Sequence, residues 1–102
     1  MRIIKPARLA EFWTKHGRAR SSLESWYAVA RVTAWKNLND VRKTYRTADE
    51  VRVASGKTVV VFNVGGNLFR LVCAIHYNRG KVFVLRFLTH AEYTKDNWKK
   101  DL

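Results

Sequence analysis

The spacing of apolar residues changes once along this chain, near Thr58. Before that point they recur in steps of three and four; after it they come in short runs. The first pattern belongs to helices with one buried face, the second to strands. Leu9, Phe12, Trp13 and His16 lie at helical spacing behind Pro6, which suits a first helical turn, and Gly17 offers a stop. This predicts a helix near 6–16, preceded by a short edge strand near 2–4. Leu23, Trp26, Tyr27, Ala30, Thr33, Ala34 and Leu38 form a second stripe. Ser21 or Ser22 can cap it, and Glu24 falls in the first turn, where the helix dipole favours an acid. The stripe predicts a helix to about residue 36, so the two helices make a hairpin. Residues 37–57 are less legible. Leu38, Val41 and Tyr45 fit one or two further helical turns, and Val51 and Val53 alternate as in a short strand.

The runs that follow read as three strands. Thr58–Asn63 is the first, Leu68–Tyr77 the second and Lys81–Leu88 the third. Val64-Gly65-Gly66-Asn67 and Asn78-Arg79-Gly80 are turn signals, because glycine tolerates positive φ. Two tight connections make an antiparallel meander. The strands are almost continuously apolar, so both faces are mostly covered, or one lines a cleft. Thr89 can cap a short helix over 90–98. The order β-α-α-(irregular)-β-β-β-α predicts an α+β fold with a helical hairpin against one sheet face.

Charge adds a partner to this picture. The 102 residues hold 20 Lys and Arg against 8 Asp and Glu, a net charge of +12. From Val51 to Ala91 there are bases (Arg52, Lys57, Arg70, Arg79, Lys81, Arg86) and no acid. A surface without carboxylates concentrates phosphate backbones. Other classes fall away. Cys73 is the only cysteine, which rules out an intrachain disulfide. No apolar run reaches the ~20 residues of a membrane span. The 47% hydrophobic content is too high for a disordered basic tail. Met1-Arg2-Ile3-Ile4-Lys5-Pro6 lacks the apolar segment of a signal peptide. The expectation is a single folded domain, 1–102, cytoplasmic, with a polyanionic partner.

Few residues offer chemistry. The three histidines and one cysteine have no metal-ligand spacing, and the glycines mark hairpins rather than a phosphate loop. Cys73 sits mid-strand and reads as core. Arg70 and Arg86 each interrupt an apolar strand. An unpaired buried charge is costly, so each needs a distant carboxylate or an open position, where it would meet either solvent or a phosphate. Just past the third strand, His90, Tyr93 and Lys95 could supply acid, base and charge stabilisation. They could equally be a cap and a packed aromatic. His76, near the end of the second strand, could compete with His90 but reads more simply as a strand-end histidine.

Three stretches together resemble a known family: Ala34-Trp35-Lys36-Asn37-Leu38-Asn39-Asp40-Val41, Val61-Phe62-Asn63-Val64-Gly65-Gly66-Asn67-Leu68-Phe69-Arg70-Leu71, and Arg86-Phe87-Leu88-Thr89-His90-Ala91-Glu92-Tyr93. They are similar to the HigB toxins of type II toxin–antitoxin systems, members of the RelE superfamily of small ribonucleases. The resemblance implies a RelE-like fold, with two N-terminal helices on a twisted, mainly antiparallel sheet and a short C-terminal helix. It implies endonucleolytic cleavage of mRNA on translating ribosomes, without a metal or other cofactor. It implies as partners mRNA, ribosomal RNA and a HigA-type helix-turn-helix antitoxin, and no membrane. It assigns Arg70 and Arg86 to phosphate and transition-state stabilisation, His90 to general acid or base, and Tyr93 to stacking or hydrogen bonding. Lys95, Lys57, Asn63 and Lys43 become substrate contacts. The alternatives are a non-catalytic RNA- or ribosome-binding module and a scaffold that binds only its antitoxin.

Overall fold

The computed structural model describes all 102 residues. A short strand β1 (Arg2–Ile4) leads into helix α1 (Ala7–Lys15), with Pro6 at its N-cap. A 3-10 turn, Gly17–Ala19, joins α1 to α2 (Arg20–Ala30). Helix α3 (Leu38–Thr44) follows, its first turn closed by the Asn37 side chain, which accepts from the Asp40 amide at 2.9 Å. The strands are β2 (Asp49–Arg52), β3 (Thr58–Val64), β4 (Phe69–His76) and β5 (Lys81–Thr89). They form one sheet in the order β1-β5-β4-β3-β2, antiparallel except for the parallel pair β1 and β5. Helix α4 (His90–Thr94) and a 3-10 turn, Asn97–Asp101, close the chain. The architecture is α+β, as expected, with β1 at one sheet edge.

Three boundaries differ from the spacing-based reading. Helix α2 stops at Ala30 rather than near 36. Beyond it the chain turns, leaving Val32 79% exposed and bringing Trp35 back into the core, where its Nε1–H donates to Thr44 Oγ1 at 3.1 Å. A turn can deliver residues to the same core as a helix would, so the stripe through Thr33 and Leu38 continued without a helix beneath it. Leu68 is half exposed in the turn rather than the start of β4. The last helix ends at Thr94, because Asp96 takes a left-handed conformation at φ 61° that breaks the helical path.

The sheet is covered on both faces. On one, Val60, Phe62 and Val64 of β3, Leu71 and Cys73 of β4, and Val82, Val84 and Phe87 of β5 pack with Leu9, Leu23, Trp26, Ala30, Trp35 and Val41 of the helical layer. On the other, Val59, Val61, Val72 and Leu88 pack with Val53 and with Trp98 of the C-terminal turn. Each large side chain buried this way stabilises the fold by roughly 1.5–3 kcal/mol.

One irregularity decides which face carries charge. Along β5, Val82 and Val84 face the helices, and so does Phe87, which breaks the two-residue period. Cys73 pairs with Val84 and Val72 with Arg86, leaving Leu85 as the extra residue of a β-bulge. The Arg8 guanidinium of α1 donates to the Val84 and Leu85 carbonyls at 3.1 and 3.2 Å, satisfying acceptors at the bulge. Past the bulge Arg86 lies beside Val72 on the face away from the helices.

Candidate active site

Arg70 and Arg86 share that second face, at the end of the sheet where α4 begins. The neighbouring residues of β4 point Leu71 and Cys73 into the helical core, so alternation alone places Arg70 opposite them. Arg70 is 7% exposed, and no carboxylate pairs with it. The sequence left two resolutions for this charge, a distant acid or an open position. The structure uses neither. Neutral acceptors solvate the guanidinium: Nη1 donates to the Asn67 and Phe69 carbonyls at 3.0 and 3.1 Å, and Nη2 donates to Asn67 Oδ1 at 2.7 Å. Nη2 also lies 3.2 Å from His90 Nδ1. The guanidinium carbon sits 5.5 Å from the centre of the Tyr93 ring, a cation–π contact.

The contact with Arg70 fixes His90 chemically. A guanidinium has only donors, so Nδ1 accepts and the imidazole proton resides on Nε2. His90 is exposed and is the first residue of α4, where its amide donates to the Leu68 carbonyl at 3.0 Å. Thr89 is the N-cap, as the sequence predicts. Its hydroxyl accepts from the Glu92 amide at 3.2 Å and its amide donates to Glu92 Oε1 at 2.9 Å, closing a capping box. The hydrogen bond from the Thr89 amide holds the Glu92 carboxyl below its usual range. Glu92 is thereby engaged in the cap. Tyr93 stacks on Trp98 at 5.5 Å, and Trp98 Nε1–H donates to the Tyr93 carbonyl at 3.1 Å. A buried aromatic thus supports the ring that covers Arg70.

The two arginines differ in what they have left to give. Four hydrogen bonds engage Arg70, leaving only Nε–H of its five donors without a protein acceptor. Arg86 is half-buried and donates once, from Nη1 to the Leu85 carbonyl at 2.9 Å. Its remaining donors are free for a planar, bidentate contact with a phosphate.

The other candidates scatter. Asn63 is exposed and pairs directly with Arg70 across β3 and β4, so it borders the cluster. Lys95 lines a small cavity of about 270 Å³ with Leu88, Glu92, Asn97 and Trp98, beside Tyr93. Lys57 precedes β3, about 20 Å of strand from Asn63. It lines a separate groove of about 850 Å³ with His76 and Leu102. His76 packs there against Phe83, at 4.9 Å between ring centres, and has no part in the Arg70 cluster. Lys43 lies on α3, 3.8 Å from the Asp40 carboxylate, and does not join the site. The sequence reading missed Asn67 and Trp98. Asn67 was visible only as the last residue of a Gly-Gly-Asn turn, and Trp98 only as an aromatic in the tail. No group of three or more His, Cys, Asp or Glu residues is arranged to hold a metal ion. No helix is long and apolar enough to cross a membrane.

Residues 19–96 match the model of the HigB toxin family, the RelE-like toxic component of a toxin–antitoxin system. The chain belongs to the HigB toxin family. The match covers α2, all of β2–β5 and α4, including every residue of the Arg70 cluster. The chain is also similar to the mRNA interferase HigB of Escherichia coli O6:H1 (strain CFT073), at 28% identity over 95 residues, which is 93% of this chain and 90% of that protein. In this HigB-family chain Arg70 and Arg86 lie on the sheet face opposite the helical layer.

Proposed function

We propose that this chain is an endoribonuclease that cleaves mRNA on translating ribosomes without a metal ion, and that a HigA-type helix-turn-helix antitoxin neutralises it in the cytoplasm. The observation that carries the reading is the cluster of Arg70, His90 and Tyr93 beside the free fork of Arg86. The printed name of the Escherichia coli relative, mRNA interferase, supports the substrate class.

In the proposed reaction the ribose 2′-oxygen gives its proton to solvent water and attacks the adjacent phosphorus. The bond to the 5′-oxygen breaks, and that oxygen takes a proton from solvent, so that protons lost and gained balance. The products are a 2′,3′-cyclic phosphate and a 5′-hydroxyl. Arg86 clamps the scissile phosphate through its unused donors. Arg70 contributes a fixed, partly desolvated positive charge to the pentacoordinate phosphorane, where preorganised charge acts most strongly. His90 presents Nε2–H to the negative charge that develops, as a neutral imidazole can. Its tautomer favours this donor role over that of general base. Tyr93, held by Trp98, offers a ring and a hydroxyl to the flanking nucleotide. Asn63 and Lys95 border this centre as substrate contacts, while Lys57 and Lys43 serve the wider RNA or ribosome surface.

Mapping RNA 5′ ends after brief induction tests the reading. New ends inside coding regions, bearing 5′-hydroxyls, are expected. Intact mRNA bound to the protein would instead support a non-catalytic RNA-binding module. Ends bearing 5′-phosphates would exclude attack by the 2′-oxygen. Elemental analysis of active protein is expected to find no stoichiometric metal.

A further inference from the structure

Asn67 stands between the Gly65–Gly66 turn and β4, and it contacts Arg70 twice. Its carbonyl accepts from Nη1 at 3.0 Å and its side-chain Oδ1 accepts from Nη2 at 2.7 Å. It does so from a left-handed backbone, φ 82°, a conformation that asparagine tolerates better than most residues but still at a cost. The next residue, Leu68, receives the His90 amide on its carbonyl at 3.0 Å. The same nitrogen that meets Asn67 Oδ1 also meets His90 Nδ1. A donor atom held from one side by a carboxamide oxygen is aimed at the imidazole on the other.

We propose that Asn67 is a positioning residue. Its carboxamide holds the Arg70 guanidinium in the plane that keeps His90 in the Nε2–H tautomer. The proposal rests on the endoribonuclease reading for its activity readout, and not for its tautomer readout. Asn67 touches no substrate in this scheme; it acts through Arg70 on His90. Without the carboxamide, Nη2 loses its shortest partner and rotates away from a fixed approach to Nδ1. Both imidazole tautomers then become accessible.

Glycine and aspartate at this position separate the side chain from the backbone. Asn67→Gly keeps the positive φ without strain and keeps the carbonyl acceptor, so it deletes the carboxamide alone. Asn67→Asp keeps an oxygen acceptor, now charged, in the same place. Two measurements apply to folded protein of matched melting temperature. Nitrogen-15 NMR of the imidazoles, with His90 assigned through its own substitution, reads the tautomer. Cleavage of a reporter mRNA by purified toxin in a reconstituted translation system reads kcat and KM. In the wild type, Nδ1 is expected to be unprotonated. In Asn67→Gly a mixed tautomer population is expected, with kcat lower by about tenfold or more and KM within about twofold, since misplacing a reacting group by an ångström costs up to about a hundredfold. Asn67→Asp is expected to restore the single tautomer and most of kcat. A single, unchanged tautomer with undiminished kcat in Asn67→Gly would overturn the proposal. If the wild type cleaved no RNA, the endoribonuclease reading would fail, and the tautomer comparison would still decide the role of Asn67.

Discussion

The two faces of the sheet are built from alternate residues of the same strands, yet they do different work. Under the helices, 18 buried residues from both layers form a continuous apolar core. The opposite face has six, and one of them, Trp98, reaches it from the C-terminal turn. Beside that smaller cluster lie a buried cation without a carboxylate partner, an exposed histidine and a free guanidinium fork. An apolar face sealed by the helical layer leaves little room for an unsolvated charge, which costs several kcal/mol; the Arg8 guanidinium there is satisfied by the carbonyls at the bulge. The thin cover of the second face leaves room for charged groups, and the turn carbonyls and the Asn67 carboxamide substitute for water around Arg70. Stability and chemistry are therefore separated by side, across a single layer of backbone.

The sharpest test of that separation is Arg70→Ala. It removes a charge from the second face only, and cleavage of reporter mRNA is expected to fall by about a hundredfold or more, the range seen when one preorganised transition-state contact is lost. Undiminished cleavage would move the active centre elsewhere. Next come paired truncations. Phe62→Ala on the helix face and Trp98→Ala on the other should each cost about 3–5 kcal/mol in urea unfolding, as large-to-small changes in a packed core do. Among molecules that remain folded, only Trp98→Ala should also slow cleavage, because Tyr93 loses its support. Equal loss of specific activity in both variants would dissolve the distinction between the faces. The proposed binding to ribosomes should weaken with salt, by about a thousandfold between 50 and 200 mM if six or more phosphates are engaged.

The smaller effects concern local structure at the site. Glu92 titrates below its usual range because Thr89 donates to it in the folded state. A carboxyl whose folded pKa is depressed adds stability above its unfolded pKa and loses it as pH falls through the folded value. Thr89→Ala should lower stability by about 1 kcal/mol at neutral pH. Thr89→Ala keeps the amide that donates to the Glu92 carboxylate, so the acid limb of the stability curve should flatten in Glu92→Gln, which removes the titrating group; an unchanged acid limb in Glu92→Gln would show that the capping box does not hold Glu92. Cys73 is fully buried and its thiol is pushed up by that burial, so folded protein should resist alkylation until denaturant is added.

The meander was legible because its turns are written in glycine and its strands in apolar runs. The capping of α4 was legible because Thr89 and Glu92 stand at the spacing a capping box requires. The end of α2 was not, since Trp35 enters the core through a turn whose spacing imitates a helix. The membership of the site was legible only in part. Arg70, His90 and Tyr93 were singled out and do meet, whereas Lys57 and Lys43 lie elsewhere. Basic residue type gives no information about distance in the fold, and an asparagine that ends a turn carries no mark of the guanidinium it will hold.

By itself the sequence determined the α+β layout, the meander, the site-side clustering of His90 and Tyr93, and a carboxylate-free stretch suited to phosphate. These follow from local spacing and from composition, which act within a few residues of chain. The tertiary structure decided the rest. The unpaired Leu85 shifts the phase of β5, so that Arg86 leaves the core side and joins Arg70, and no period-two pattern contains that shift. The same packing brings Asn67, Arg70 and His90 within hydrogen-bonding reach, from a turn, a strand and a helix end. Only contact across those elements could convert a costly buried charge into an organised one.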